Sequence, residues 1–109
     1  RQLEDSGAPP AHLIPAYERI AQLDPFDAAN HTLLGRLKLQ GGDARTAARE
    51  FRAALASGSL DPAAAHSDLA ESYLALGDKV QARRAILAAI EVAPGYPRAQ
   101  DLLLKVVAQ

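Results

Sequence analysis

The feature that most restricts this chain is that it repeats itself at a spacing of 35 residues. Sliding one stretch forward by that amount puts His31 on His66, Leu34 on Leu69, Gly42 on Gly77 and Asp43 on Asp78. The match continues with Ala47 on Ala82, Phe51 on Ile86, Ala54 on Ala89 and Leu55 on Ile90. A period of this length is one supersecondary unit that cannot bury its apolar face alone, so copies must stack. In the second copy Leu69, Ala70, Tyr73 and Leu74 lie on one face of a helical period, and beyond Gly77-Asp78 so do Ala82, Ile86, Ala89, Ile90 and Ala93. Each copy is therefore predicted to be two helices folded back on each other. Gly35 aligns with Ala70, which puts small side chains where paired helices cross and lets their axes approach closely.

The flanks repeat the pattern. From Ala11 to Leu23 a stripe of Leu13, Ile14, Tyr17, Ile20, Ala21 and Leu23 is interrupted by Pro15. A proline inside a helix removes one backbone bond and crowds the carbonyl four residues back. The preferred expectation is thus a helix starting at Ile14, with Pro15 in the tolerated first turn, over one kinked near Ala11. Further helices are predicted over residues 28–40, 44–57 and 62–76, from Gly77-Asp78 to Pro94, and over 97–108, making six. Asp27, Asp43, Asp61 and Asp78 precede them as N-caps, Leu33, Leu34, Leu37 and Leu39 supply the apolar side of the second, and Gly41-Gly42 and Gly58 close helices. Arg1–Gly7 reads as the frayed end of an earlier helix and Ala8-Pro9-Pro10 as a turn, so the chain looks like a piece of a longer protein.

This pattern resembles the tetratricopeptide repeat (TPR). The residues that carry the resemblance are Leu34-Gly35, Gly42-Asp43, Ala47, Phe51 and Ala54 in one copy, and Leu69-Ala70, Tyr73, Gly77-Asp78, Ala82, Ile86, Ala89 and Pro94 in the other. Tyr17, Ile20 and Leu23-Asp24-Pro25 resemble the end of a preceding repeat. The resemblance implies an all-α, right-handed superhelical stack of antiparallel hairpins in one domain: a repeat remnant over 1–25, repeats over 26–60 and 61–96, and a capping helix over 97–109. The chain departs from the family in its period of 35, against the usual value of about 34, in His31 and His66 where a tryptophan is common, and in Lys38 where an aromatic is common. Counted from Ala70 at the family's usual period of about 34, Leu104 falls where the earlier copies have Gly35 and Ala70, and a leucine there would hold a partner helix off, hence the cap.

By the same resemblance the function is protein–protein interaction through a concave groove lined by the first helices of the hairpins. Its polar contacts would be Thr32, Arg36, Gln40, Ser67, Asp68, Glu71, Arg98, Asp101 and Lys105, with Ala29, Leu33, Leu39, Ala64, Leu74 and Leu102 between them. Arg36 and Glu71 are expected to pair across neighbouring repeats. These residues do not make the ring of Lys, Asn and Arg with which some family members clamp the acidic C-termini of chaperones, so that specificity is not implied. The alternative is an accessory C-terminal domain of a larger bacterial enzyme or secretion component, assembling as a homodimer through the last helix.

Other classes are disfavoured. With 12 basic and 13 acidic residues and a net charge of −1, the chain has no electrostatic footprint for nucleic acid. That argues against the pentatricopeptide RNA-binding repeats, which share the period. Without cysteine there is no disulfide or thiolate chemistry, and cytoplasm and periplasm are not distinguished. The longest apolar run, Ala85 to Ala93, is broken by Glu91 and is far short of the roughly 20 residues a bilayer requires. Ser57, Ser59, Ser67 and Ser72 have no base at a recognisable spacing, and Asp43 and Asp78 read as caps, so neither an enzyme nor a cofactor is expected. His31 and His66 have no third ligand placed by any pattern, so no metal is expected either.

Overall fold

The computed structural model describes residues 10–108, with side chains from Leu13 onward; the remnant expected over residues 1–7 lies outside the described residues. Six helices follow one another: α1 (Pro10–Leu23), α2 (Ala28–Gln40), α3 (Ala44–Ala56), α4 (Pro62–Ala75), α5 (Lys79–Val92) and α6 (Pro97–Ala108). Four of them begin with the same device, an aspartate whose side chain accepts the backbone N–H three residues on: Asp27 from Asn30, Asp43 from Thr46, Asp61 from Ala64 and Asp78 from Gln81. Each such bond satisfies one of the orphan donors of a first helical turn.

The Gly-Asp dipeptide inside each hairpin closes one helix and opens the next. Gly42 (φ +88°) and Gly77 (φ +78°) take the left-handed conformation. The following aspartate N–H then reaches back into the helix just ended, Asp43 to the Lys38 carbonyl at 2.8 Å and Asp78 to the Tyr73 carbonyl at 2.9 Å. This is the double backbone closure that a glycine past a helix end permits. The aspartate side chain, free of that duty, caps the second helix.

α1 corrects the expectation of a start at Ile14. The helix runs unbroken from Pro10, with Pro15 inside it. Pro10 rather than Pro15 takes the first position, where a missing N–H and a fixed φ cost nothing, and Pro15 forfeits the bond to the Ala11 carbonyl and crowds that carbonyl.

Helices pack on their sequence neighbours throughout, and the first helices of the hairpins also touch one another, α2 with α4 and α4 with α6. That second set of contacts makes α2, α4 and α6 one face of a stack measuring 37 × 25 × 23 Å. The core joins Ala47, Ala48 and Phe51 of α3, Leu69 and Ala70 of α4, Ala82, Ala85 and Ile86 of α5, and Leu102 and Val106 of α6. At the crossing of α2 and α3 a Cβ on Gly35 would stand 2.5 Å from Phe51 Cε1, so the ring occupies the space the missing side chain leaves. In the other hairpin the equivalent pair, Ala70 and Ile86, is fully buried. The larger ring faces glycine and the smaller aliphatic faces alanine.

Burial on α2 differs from the leucine stripe expected of it. Asn30, His31, Leu34 and Gly35 are buried, whereas Leu33, Leu37 and Leu39 are half-buried. A helix with α1, α3 and α4 around it has no single inward stripe, and polar side chains enter it: Asn30 donates from Nδ2 to the Tyr17 carbonyl, its Oδ1 buried without a partner among the described residues. α6 is packed on one side by Ala99, Leu102 and Val106, while Leu104 (69 % exposed) and Val107 (66 %) face outward.

Candidate functional site: a groove across three helices

Three clefts lie in a row on the face made by α2, α4 and α6. The first, of about 670 Å³, opens between the turn at residues 24–27, the turn at 57–61 and the starts of α2 and α4. A second, of about 360 Å³, is walled by Arg36, Leu39, Gln40, Asp68, Glu71 and Arg98. The third, of about 430 Å³, is walled by Leu39, Glu71, Leu74, Ala75, Leu102 and Lys105. Arg36 belongs to the walls of the first and second, and Leu39 and Glu71 to those of the second and third, so the three clefts adjoin one another along this face.

Its middle is an ionic network around one carboxylate. Arg36 donates from Nε and Nη2 to Asp68 Oδ2 at 3.3 and 3.2 Å. Arg98 Nη2 donates to Asp68 Oδ1 at 2.6 Å and to Glu71 Oε2 at 2.9 Å, and its Nε reaches Glu71 Oε2 at 3.2 Å. Asp68 is almost wholly buried, and the two guanidinium groups that bracket it are only partly so. Burial pulls the Arg98 pKa down, but the bonds to Asp68 and Glu71 outweigh it and hold the group above the ordinary guanidinium value. The Arg36–Glu71 pair expected from the sequence is corrected here: Arg36 engages Asp68, and Glu71 engages Arg98. One helical turn separates the two acids on α4, and it is the earlier turn that lies level with Arg36.

Of the residues expected to line the groove, Thr32, Arg36, Gln40, Asp68, Glu71, Arg98 and Lys105 stand in cleft walls, as do Ala29, Leu33, Leu39, Ala64, Leu74 and Leu102. Thr32 spends its hydroxyl on the Ala28 carbonyl. Ser67 is a correction, because it is fully buried with its hydroxyl on the Ala63 carbonyl and offers a partner no surface. α4 lies in the middle of the stack, and its position 67 faces a neighbouring helix. Asp101 is exposed on α6 and lines none of the three clefts.

Sequence reasoning missed the first cleft's most prominent walls, Phe26 (78 % exposed) and Leu60 (102 %). Both immediately precede a capping aspartate, a recurrence visible as Phe26-Asp27 and Leu60-Asp61. An apolar residue there ordinarily packs back on the fourth helical residue.

His31 is buried between two acceptors. Its Nδ1 lies 2.7 Å from Glu50 Oε1 and its Nε2 2.6 Å from the Pro25 carbonyl oxygen. Since a carbonyl and a carboxylate only accept, both contacts are satisfied together when both ring nitrogens carry protons, so the site favours the imidazolium form. Burial lowers its pKa, but the bonds to Glu50 and Pro25 and the charges of Glu50 and Asp27 raise it further, leaving it above the ordinary value of 6.5. His66 is pushed the other way, downward, by burial. With both nitrogens engaged, His31 presents no lone pair to a metal, and no group of three His, Cys, Asp or Glu suited to one occurs among the described residues. No helix among the described residues is long and apolar enough to cross a membrane.

Neither a family model nor a curated protein sequence matches the chain. Solved structures do. The MamA protein is 23 % identical, with a TM-score of 0.86 over 95 % of this chain. The present chain spans 56 % of the MamA chain. The first TPR of Spaghetti (RPAP3), solved bound to the HSP90 peptide SRMEEVD, is 18 % identical with a TM-score of 0.88, over 98 % of this chain and 83 % of that one. At such identities the likeness is one of architecture, and the architecture of this chain is that of the tetratricopeptide repeat, an all-α solenoid of stacked helix hairpins.

Proposed function

We propose that the chain is a protein–protein interaction module, without catalytic chemistry of its own, that receives a segment of a partner protein in the groove across α2, α4 and α6. Its repeats occupy residues 26–60 and 61–96, and α6 caps them. The observation that carries this reading is that three adjoining clefts, with both apolar and charged walls, follow one another along this face. Such a row suits an extended or helical segment better than a small compact ligand. A structurally similar TPR takes a peptide of another protein, which supports the same class of use here. Peptides selected from a random library on the immobilised protein, mapped by amide chemical-shift changes, are expected to perturb α2, α4 and α6. Shifts confined to the outer faces of α3 and α5 would overturn the proposal.

The acidic peptide SRMEEVD is a poor candidate. Arg36 and Arg98 already hold Asp68 and Glu71, so a carboxylate-rich ligand must displace bonds that exist. Titration is expected to show a Kd no tighter than about 1 mM.

A second reading rests on the outward side of α6, where Leu104 and Val107 are solvent-facing. Two copies meeting there would form a homodimer. Removing α6 is not a clean test, because Ala99, Leu102 and Val106 belong to the buried interior. Solution mass measured for the parent protein and for Leu104→Glu/Val107→Glu decides it: a dimer that becomes a monomer supports assembly, and a monomer in both excludes it.

A further inference from the structure

Building on the groove proposed above, we infer that its first cleft is the anchoring subsite, and that its occupant is a large apolar side chain from a partner segment with lysine or arginine beside it. The argument starts from two staples that do not close. The fourth residue of α4 is Ala65, too small to hold Leu60, and the fourth of α2 is His31, turned inward onto Glu50 and Pro25. Phe26 and Leu60 are therefore left in solvent on the walls of one cleft, with Leu33, Ala29 and Ala64 also lining it. The cleft's volume lies within the range of about 300–1,000 Å³ typical of ligand sites, enough for more than one side chain.

Charge selects the flanks of that occupant. Asp24, Asp27 and Asp61 also line the cleft. Each accepts at Oδ1 from a backbone N–H, of Phe26, Asn30 and Ala64 respectively, and none is in an ion pair among the described residues. The single basic group on the walls, Arg36, is engaged by Asp68. The His31 imidazolium lies near enough to Asp27 to feel its charge, and Asp27 and Asp61 are partly offset by the helix starts they cap. Asp24 has no such offset, since it follows the last residue of α1, where the helix presents its carbonyl end. The cleft is thus apolar with a net negative rim, which attracts a cation beside the anchor and repels an anion. The second and third clefts, walled by paired charges and by Lys105, lack this combination.

The test uses a blocked, fluorescein-labelled peptide with a central Leu-Phe pair flanked on each side by lysines. One companion peptide has glutamates for the lysines and another has Ala-Ala at the centre. Fluorescence anisotropy is expected to show the lysine peptide binding at least about tenfold more tightly than either companion, and losing affinity as salt is raised. Phe26→Ser/Leu60→Ser, which changes only solvent-facing side chains, is expected to weaken it by about tenfold or more with an unchanged circular dichroism spectrum. Asp24→Asn and Asp61→Asn, the latter keeping a competent cap, are expected to reduce the preference for lysine over glutamate. No binding at about 1 mM, equal binding of the lysine and glutamate peptides, or indifference to Phe26→Ser/Leu60→Ser overturns the assignment. Should the library-selected peptides still map to α2, α4 and α6 while this subsite fails, the groove stands and only its anchor is wrong. Failure of both removes the interaction reading itself.

Discussion

Gly35 and Phe51 behave as one unit, because the ring fills the volume that any side chain on residue 35 would need. Phe51 is fully buried and has nowhere to retreat, so Gly35→Ala is expected to destabilise by about 1–3 kcal/mol in urea titrations. Adding Phe51→Ile is expected to recover most of that loss, since it recreates the Ala70–Ile86 pair of the other hairpin. A single variant as stable as the parent would show that the ring does not hold this space. His31 makes a different residue-scale prediction. Its folded pKa is raised above the unfolded value of 6.5, so its bonds to Glu50 and Pro25 stabilise fully below that pH and are lost as pH rises through the higher folded value. The gap in stability between the parent and His31→Gln is therefore expected to be widest near pH 5.5 and to narrow above neutrality. Using the difference removes the contribution of His66, whose lowered pKa acts in the opposite sense. A gap that stays constant across this range would sink the imidazolium assignment.

At the scale of elements, Asp68 ties three helices together, accepting from Arg36 of α2 and Arg98 of α6 while sitting on α4. Asp68→Ala is expected to cost about 1.5–3 kcal/mol, the range for hydrogen bonds to a charged group. The cost stays below that of breaking a fully buried pair because the freed arginines can turn to solvent. Chemical denaturation measures it, and a change under about 0.5 kcal/mol, typical of a surface substitution, would show that the network contributes nothing to stability. The caps and turns of the same elements were legible beforehand. Gly42-Asp43 and Gly77-Asp78 announce themselves because glycine at a helix end and aspartate at a helix start act through bonds to residues only a few positions away. α1 was misjudged for a related reason: two prolines five residues apart both suit a first turn, and local rules alone do not choose between them.

Across the whole molecule, stability in a stack comes from neighbours, and the helices differ in how many they have. α4 touches α2, α3, α5 and α6, whereas α1 packs chiefly on α2 among the described helices. Hydrogen exchange is expected to find the α4 amides protected close to the global unfolding free energy and the α1 amides exchanging by local opening. Uniform protection of the two would contradict a neighbour-built stack. The same distinction separates what the sequence by itself determined from what it left open. The 35-residue period, the amphipathic stripes and the glycine–aspartate turns prescribed six helices, two like hairpins and their small-residue crossings, because periodicity and capping are properties of residues close in the chain. Which polar groups the stack swallows was decided only in three dimensions. Asn30, His31 and Ser67 went inside, Arg36 found Asp68 instead of Glu71, and Phe26 and Leu60 came to line one cleft. The burial of Asn30, His31 and Ser67 and the pairing of Arg36 with Asp68 depend on the rotation of a helix about its own axis. That angle is set by packing against helices some thirty residues distant, as the 32-residue separation of Arg36 and Asp68 illustrates, and not by anything within a helical turn.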